Sequence, residues 1–297
     1  MQKVRQIARI GMAVSAALAV MKIGVGLAAR SAAVTADGFE SAADVFTSGL
    51  VLVGMTIAAL PADENHPYGH GRVEILTGLL LGFLLFVVGL LIALHAWIGA
   101  GEIPVPPAAY AVWPVLISIA AKFWLVTVKY RNGRRLNSLA LKADATNDAV
   151  DIVSGLVALS ALSLTLHWPD RFPRADRYGA FVVGLIVIAT ALRVAYEAAM
   201  HLMDTMPDDD AMEDIRRAAA SVPDVAGIEK CFARKTGLKY HVDLHLEVDP
   251  EITVRASHDI AQRVREHVCE QLPWVADVLV HVEPAPSRTS FPTAPKQ

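Results

Sequence analysis

Six long apolar stretches constrain this chain more than any other feature; they lie at roughly 7–29, 33–60, 73–98, 109–130, 139–166 and 176–203. Each is long enough to cross ~30 Å of hydrocarbon at ~1.5 Å per residue. A segment in lipid must satisfy its own backbone N–H and C=O groups, so each stretch is expected to be a helix. Polar or proline- and glycine-rich separators stand at 61–72, 99–107, 131–138 and 167–177. A chain of 297 residues that is 54% hydrophobic and only 19% charged fits an integral membrane protein. The basic N-terminus (Lys3, Arg5, Arg9) precedes an apolar run too long for a signal-peptide core, which reads as a retained first span.

Two of these stretches carry acids. One reads Ala36-Asp37-Gly38-Phe39-Glu40-Ser41-Ala42-Ala43-Asp44, the other Ala143-Asp144-Ala145-Thr146-Asn147-Asp148-Ala149-Val150-Asp151, and both fit A-D-x-x-[E/N]-x-x-x-D. Carboxylates are costly inside a span, and by default they mark an ion or proton path. Residues four apart share a helix face, so Glu40 with Asp44, and Asn147 with Asp151, can each aim two oxygens at one point. The bland alternative is a polar network that glues helices together.

Lys3, Arg5 and Arg9 before span one, and Lys129, Arg131, Arg134, Arg135 and Lys142 around the junction of spans four and five, place both termini in the cytoplasm; Arg171, Arg174 and Arg177, diluted by Asp170 and Asp176, run against this. Span two then enters from outside, with Glu40 and Asp44 about 10 to 17 Å deep, and span five from inside, with Asn147 and Asp151 about 13 to 20 Å deep. The motifs meet near the midplane, and a four-ligand cation cage is the expectation. Asp37, Asp144 and Asp148 lie nearer a surface and are either ligands or access-path groups. Lys22 and Lys122, also within spans, are expected to snorkel or to find a carboxylate partner.

After Met203 the composition becomes that of a small soluble module. A helix capped by Asp208-Asp209-Asp210, a strand at 225–235, an alternating strand at 238–248, a helix from Thr253 to about 271 and a strand at 275–283 give the order αββαβ, a two-layer α+β module with one sheet face covered. The fold class is therefore a six-helix membrane protein with a C-terminal α+β domain. The expected divisions are 1–206 for the membrane domain, 207–286 for the cytosolic domain and 287–297 for a disordered Pro/Ser/Thr-rich tail. Cys231 and Cys269 are too few for a disulfide framework and read as reduced thiols. A net charge of −3 gives no case for nucleic acid, and no nucleophile–base set or phosphate-cradling loop suggests an enzyme.

Taken together, these residues resemble the cation diffusion facilitators. The resemblance spans nearly the whole chain, and its most specific parts are Pro61-Ala62-Asp63-Glu64-Asn65-His66-Pro67-Tyr68-Gly69-His70-Gly71-Arg72-Val73-Glu74 and Val278-Leu279-Val280-His281-Val282-Glu283-Pro284. It implies a homodimeric, multi-pass exporter in a bacterial inner membrane, embedded in lipid, that exchanges a divalent transition metal for protons. It also implies a second metal site at Asp63, His66 and His70, and a metallochaperone-like cytosolic domain. There the corresponding cluster binds metal near the dimer interface. His245, His281 and Glu283 would form it, with His241 on the same strand face and with His258 and Glu229 available to complete it; Cys231 is either a soft ligand or a core thiol.

Zinc-transporting members usually place a histidine in one of the paired motifs, whereas this cage offers only carboxylates and an amide. Oxygen donors suit harder ions, so Mn²⁺ or Fe²⁺ is expected ahead of Zn²⁺, Co²⁺ or Ni²⁺. Asn147 cannot carry a proton, which leaves proton exchange to Glu40, Asp44 and Asp151. The rival from another class is a metal-sensing or scaffold membrane protein that binds ions without moving them.

Overall fold

The computed structural model describes residues 2–99, 105–135, 139–237 and 239–286. Six helices among these are long and apolar enough to span a membrane: α1 (Gln2–Ala28), α2 (Ala32–Ala58), α3 (Arg72–Gly99), α4 (Val112–Arg135), α5 (Leu139–His167) and α6 (Ala175–Leu202). A short 3₁₀ turn, Ala109–Ala111, leads into α4. Large apolar side chains such as Phe83, Trp97, Trp113 and Phe123 face outward, the inverse of a water-soluble bundle. The tail expected at 287–297 lies outside the described residues.

The chain divides into two compact units: Met1–Val53 with Thr77–Tyr196, and Gly54–Leu76 with Glu197–Gln297. In the first unit, Asp176 at the start of α6 caps α2. Its carboxylate accepts Ser31 Oγ at 2.6 Å and the Ala32 amide at 2.5 Å, while its own amide donates to Thr165 Oγ1 of α5 at 3.0 Å. Two of the orphan N–H groups that begin any helix are thus satisfied by a buried side chain from a distant helix. This lock sets the depth of α2 and hence of Glu40. Asp176 is accordingly a structural cap, not the loop charge its sequence position suggests. Close packing of α1 on α2 depends on Gly38, where a Cβ would come within 2.8 Å of the Ile23 side chain and backbone.

The second unit holds the αββαβ module: α7 (Asp209–Ala220), β1 (Gly227–Thr236), β2 (Lys239–Val248), α8 (Val254–Gln271) and β3 (Val275–Pro284). Asp208 and Thr253 cap the two helices through Ala211 N at 3.1 Å and Ala256 N at 3.2 Å. Strand order is β1-β2-β3, with β2 antiparallel to β1 and parallel to β3. A parallel pair needs a crossover, and α8 supplies it. Val242, Leu244, Leu246 and Val248 of β2 pack against Ile215 of α7 and Ile260, Val264 and Val268 of α8. The other sheet face carries His241, Asp243, His245 and Glu247, as the alternation predicts.

Candidate metal centres

Among the described residues, two groups of ligand-type side chains close on one point, both in the second unit, and a set of neighbouring acids lies between the membrane helices. In the bundle, α2 brings in Asp37, Glu40 and Asp44, and α5 brings in Asp148 and Asp151. Glu40 is 6% exposed and accepts a hydrogen bond from Ser154 Oγ at 2.8 Å, which ties α2 to α5 at mid-helix. Its nearest charges are Asp151, Asp44 and Asp37, and the carboxyls of Asp44 and Asp151 lie within hydrogen-bonding reach of each other. Glu40 Oε2 and Asp44 Oδ2 are shut off from solvent with no hydrogen-bond donor among the described residues. Buried oxygens left this way call for a partner, and carboxylates are the donors a hard divalent cation takes, although Glu40, Asp44 and Asp151 do not bring one oxygen each within 4.8 Å of one another as the loop and sheet groups do.

Asn147 is not brought to this point. It lies one turn before Asp151 on the exposed flank of α5, whereas the neighbouring Asp148 is buried. Asp148 binds two lysines, Lys122 at 2.8 Å and Lys129 at 2.5 Å. Lys122 also pairs with Asp151, and Lys22 pairs with Asp37 at 2.9 Å. The intramembrane lysines therefore find carboxylate partners and do not snorkel. An ion taken out of water without a partner costs several kcal/mol, which explains why acids and ammoniums are buried together. The side chain of Asp144 lies outside the described residues. Ser154 and Lys129 were not legible as site residues; the signal available was Ser154's position three residues beyond Asp151, on the same helix face.

The loop group is closed by local geometry. Asp63 Oδ1 accepts the backbone amides of His66 at 2.7 Å and Asn65 at 3.0 Å, and it also meets His66 Nδ1 at 2.9 Å. His70 Nε2 lies 3.4 Å from Asp63 Oδ2, and the two imidazole centres are 4.3 Å apart. His70 Nδ1 stands 3.2 Å from the Pro61 carbonyl, which can only accept a hydrogen bond from it. The hydrogen bond from His66 holds the Asp63 carboxyl below its ordinary range. Gly69 closes the turn with φ +78°, a conformation side chains resist.

In the C-terminal module, His245 and His281 are direct partners across the parallel β2–β3 ladder, with ring centres 5.0 Å apart. Glu283 Oε1 lies 2.5 Å from His245 Nδ1 and 3.6 Å from His281 Nε2. Ligand atoms of these three residues fall within 4.8 Å of one another. Glu229 joins them by way of a β-bulge: the register slips between Ile228 and Lys230, leaving Glu229 as the extra residue and turning it onto the open face. A hydrogen bond with Glu229, and then one with His245, keeps Glu283 below the usual carboxylate range.

Two expected ligands stand apart from this cluster, and Cys231 takes the second of its two readings, a core thiol. His258 is exposed on α8, which covers the opposite, apolar face of the sheet, so it cannot complete the group. Cys231 is 2% exposed within that same core and is no soft ligand. His241 shares the open face but stands a further four residues along β2, edge-on to Tyr68 of the loop at 6.2 Å.

An antiparallel meeting of buried acids in a six-helix bundle, with histidine–carboxylate groups outside it, defines a membrane transporter of divalent cations. A family model described as the cation efflux transmembrane domain matches residues 8–203, and one described as the cation efflux protein cytoplasmic domain matches 207–285. The chain belongs to this family, the cation diffusion facilitators, whose members are transporters and not enzymes. It is 30% identical to the manganese efflux system protein MneP of Bacillus subtilis over 284 residues, covering 94% of this chain and 96% of that protein. MneS of the same organism, also described as a manganese efflux system protein, is 29% identical, with 89% and 90% covered. The magnetosome protein MamM of Magnetospirillum gryphiswaldense is 30% identical, with 94% and 88% covered.

Proposed function

We propose that this multi-pass membrane protein exports Mn²⁺ from the cytoplasm of a bacterial cell in exchange for protons, with Fe²⁺ the next-preferred cargo and Zn²⁺ behind both. The observation that carries this reading is the all-oxygen neighbourhood of Glu40, Asp44 and Asp151, with two buried oxygens unpartnered. Hard oxygen donors favour Mn²⁺ over the imidazole-seeking Zn²⁺. Likeness to MneP and MneS, both named for manganese efflux, points the same way. In this reading Asn147, exposed one turn before Asp151 on α5, turns inward as the ion binds and adds a fourth, amide oxygen. Crowded, partly desolvated carboxylates take up protons as the dication leaves, so cargo and protons alternate on the same oxygens. Rocking of the helix bundle around this fixed midplane site gives alternating access.

Both termini lie in the cytoplasm in this scheme, and the protein works as a homodimer. The match to the family's cytoplasmic domain supports the dimer. So does the open sheet face, where Phe232 and Leu279 flank Asp243 and are 50% and 70% exposed. The loop group and the His245 cluster bind the same metal from the cytosol and regulate flux. Proteoliposomes with a pH dye inside, challenged in turn with Mn²⁺, Fe²⁺, Zn²⁺ and Co²⁺, test the whole scheme. Metal uptake coupled to proton movement, fastest for Mn²⁺, is the expected outcome. Metal binding without flux would instead favour the scaffold reading.

A further inference from the structure

The buried acids of the bundle carry their own cations, and one cation rests on a proposed ligand. Lys122, 2% exposed, pairs with Asp151. The same ammonium donates to Asp148 Oδ1 at 2.8 Å and Ser15 Oγ at 3.1 Å. Five carboxylates (Asp37, Glu40, Asp44, Asp148, Asp151) and three ammoniums (Lys22, Lys122, Lys129) thus share one part of the bundle. Among these described side chains two formal negative charges remain, which one divalent ion or two protons would neutralise. Lys22 and Lys129 sit on Asp37 and Asp148, outside the trio Glu40, Asp44 and Asp151. Lys122 is the ammonium paired with Asp151, and a dication held by Asp151 would meet a like charge on the same carboxylate in a low-dielectric interior. The ammonium need not enter hydrocarbon to give way, because Asp148 and Ser15 already receive it.

We propose that Lys122 is a tethered counter-cation of the transport site, resting on Asp151 between cargoes and withdrawing onto Asp148 and Ser15 when a divalent ion binds. This inference rests on the transport-site reading above. The lysine stays charged throughout; only its position changes. A tethered competitor is present at high effective concentration, so it lowers metal affinity and hastens release. It acts as a positioning residue, setting the balance between capture and discharge.

The test is Mn²⁺ flux into proteoliposomes by the full-length protein, fitted for half-saturating concentration and maximal rate. K122Q leaves Asp148 paired with Lys129 and takes the ammonium off Asp151, where the glutamine amide can still donate. Its half-saturating Mn²⁺ should fall at least tenfold and its maximal rate should fall with it, a split that plain structural damage would not produce. K122R should stay within about threefold of the parent. S15A, a milder change, removes one resting place and should raise half-saturation about threefold. An unchanged or raised value in K122Q, or an unchanged or lowered value in S15A, overturns the proposal; if K122Q does not fold, S15A decides alone. D151A distinguishes the two failures: flux surviving in D151A sinks the transport site itself, whereas a dead D151A beside a parent-like K122Q sinks only the lysine.

Discussion

The bundle cluster and the cluster on the C-terminal sheet use similar chemistry in opposite solvents. On the sheet, His245, His281 and Glu283 are half-buried or exposed, and their charges are moderated by water and by one another. No lysine is needed to balance them, although Lys230 sits 3.2 Å from Glu229 at the edge. In the bundle, water is unavailable, and each acid is matched by an ammonium, a hydroxyl or a second acid. The difference teaches that burial, more than ligand identity, decides how a cation site is built. An aqueous site can be assembled from neighbouring strand positions. Acids buried between membrane helices must be balanced where they stand, and the lysines on α1 and α4 are part of that balance.

The comparison breaks most readily at Asp151. If the bundle acids carry the cargo, Asp151→Ala abolishes Mn²⁺ flux, by 100-fold or more, in a protein that still elutes as a folded dimer. The loss has two parts, a missing oxygen for the dication and a Lys122 with nothing but Asp148 and Ser15 to hold it. Flux at even a tenth of the parental rate in the vesicle assay would remove the cluster from the transport path. A smaller effect is expected at Asn147. Asn147→His should move the preference toward Zn²⁺ about tenfold, because it adds an imidazole at the edge of an oxygen-only site. An unchanged ion ranking would put Asn147 among the exposed residues of α5 with no part in coordination.

Much of this architecture was legible because the membrane makes sequence rules strict. Apolar length gave six helices, and period-2 alternation gave the faces of β2, since both follow from backbone geometry alone. Less legible was which residue of the Asn147-Asp148 pair points inward. A helix turns 100° per residue, so neighbours differ in facing, and the duplicated motif favoured the wrong neighbour for burial. The lysines' partners were also hidden, because pairing Lys122 with Asp148 needs the crossing of α4 and α5. Glu229 reached its cluster only through a bulge, and His258 was excluded only by knowing which sheet face α8 covers. Capping of α2 by Asp176 spans 144 residues and left no local trace.

The aqueous side of the comparison is sharpened by a double variant. His245→Ala with His281→Ala removes two of the three clustered ligands but touches no membrane helix. Ion ranking should stay as in the parent, while the cytosolic Mn²⁺ needed for half-maximal flux rises about three- to tenfold, because metal there favours one conformational state by its differential affinity. A changed ranking would mean that the sheet cluster takes part in selection. An unchanged half-maximal concentration, measured by flux titration, would make the histidines ordinary surface groups.

The smallest effect is expected at His241, the open-face histidine left out of the cluster. Burial holds its imidazole below the ordinary value of 6.5, with the nearby Arg234 acting in the same direction and Asp277 and Asp243 opposing. For a histidine whose folded-state value is lowered, folding prefers the neutral ring. Its contribution is therefore undiminished above pH 6.5 and declines as pH falls through 6.5 toward the folded-state value. Tyr68, edge-on at 6.2 Å, makes part of that environment, so the loop that carries Asp63, His66 and His70 is linked to β2 through a group that resists protonation. His241→Gln cannot titrate, and it should flatten the loss of thermal stability between about pH 6.5 and pH 5 by on the order of 1–3 °C. Scanning calorimetry of the full-length protein at the two pH values reads the difference. Equal losses in parent and variant would show that His241 is protonated as readily folded as unfolded, and that its packing against Tyr68 carries no pH dependence.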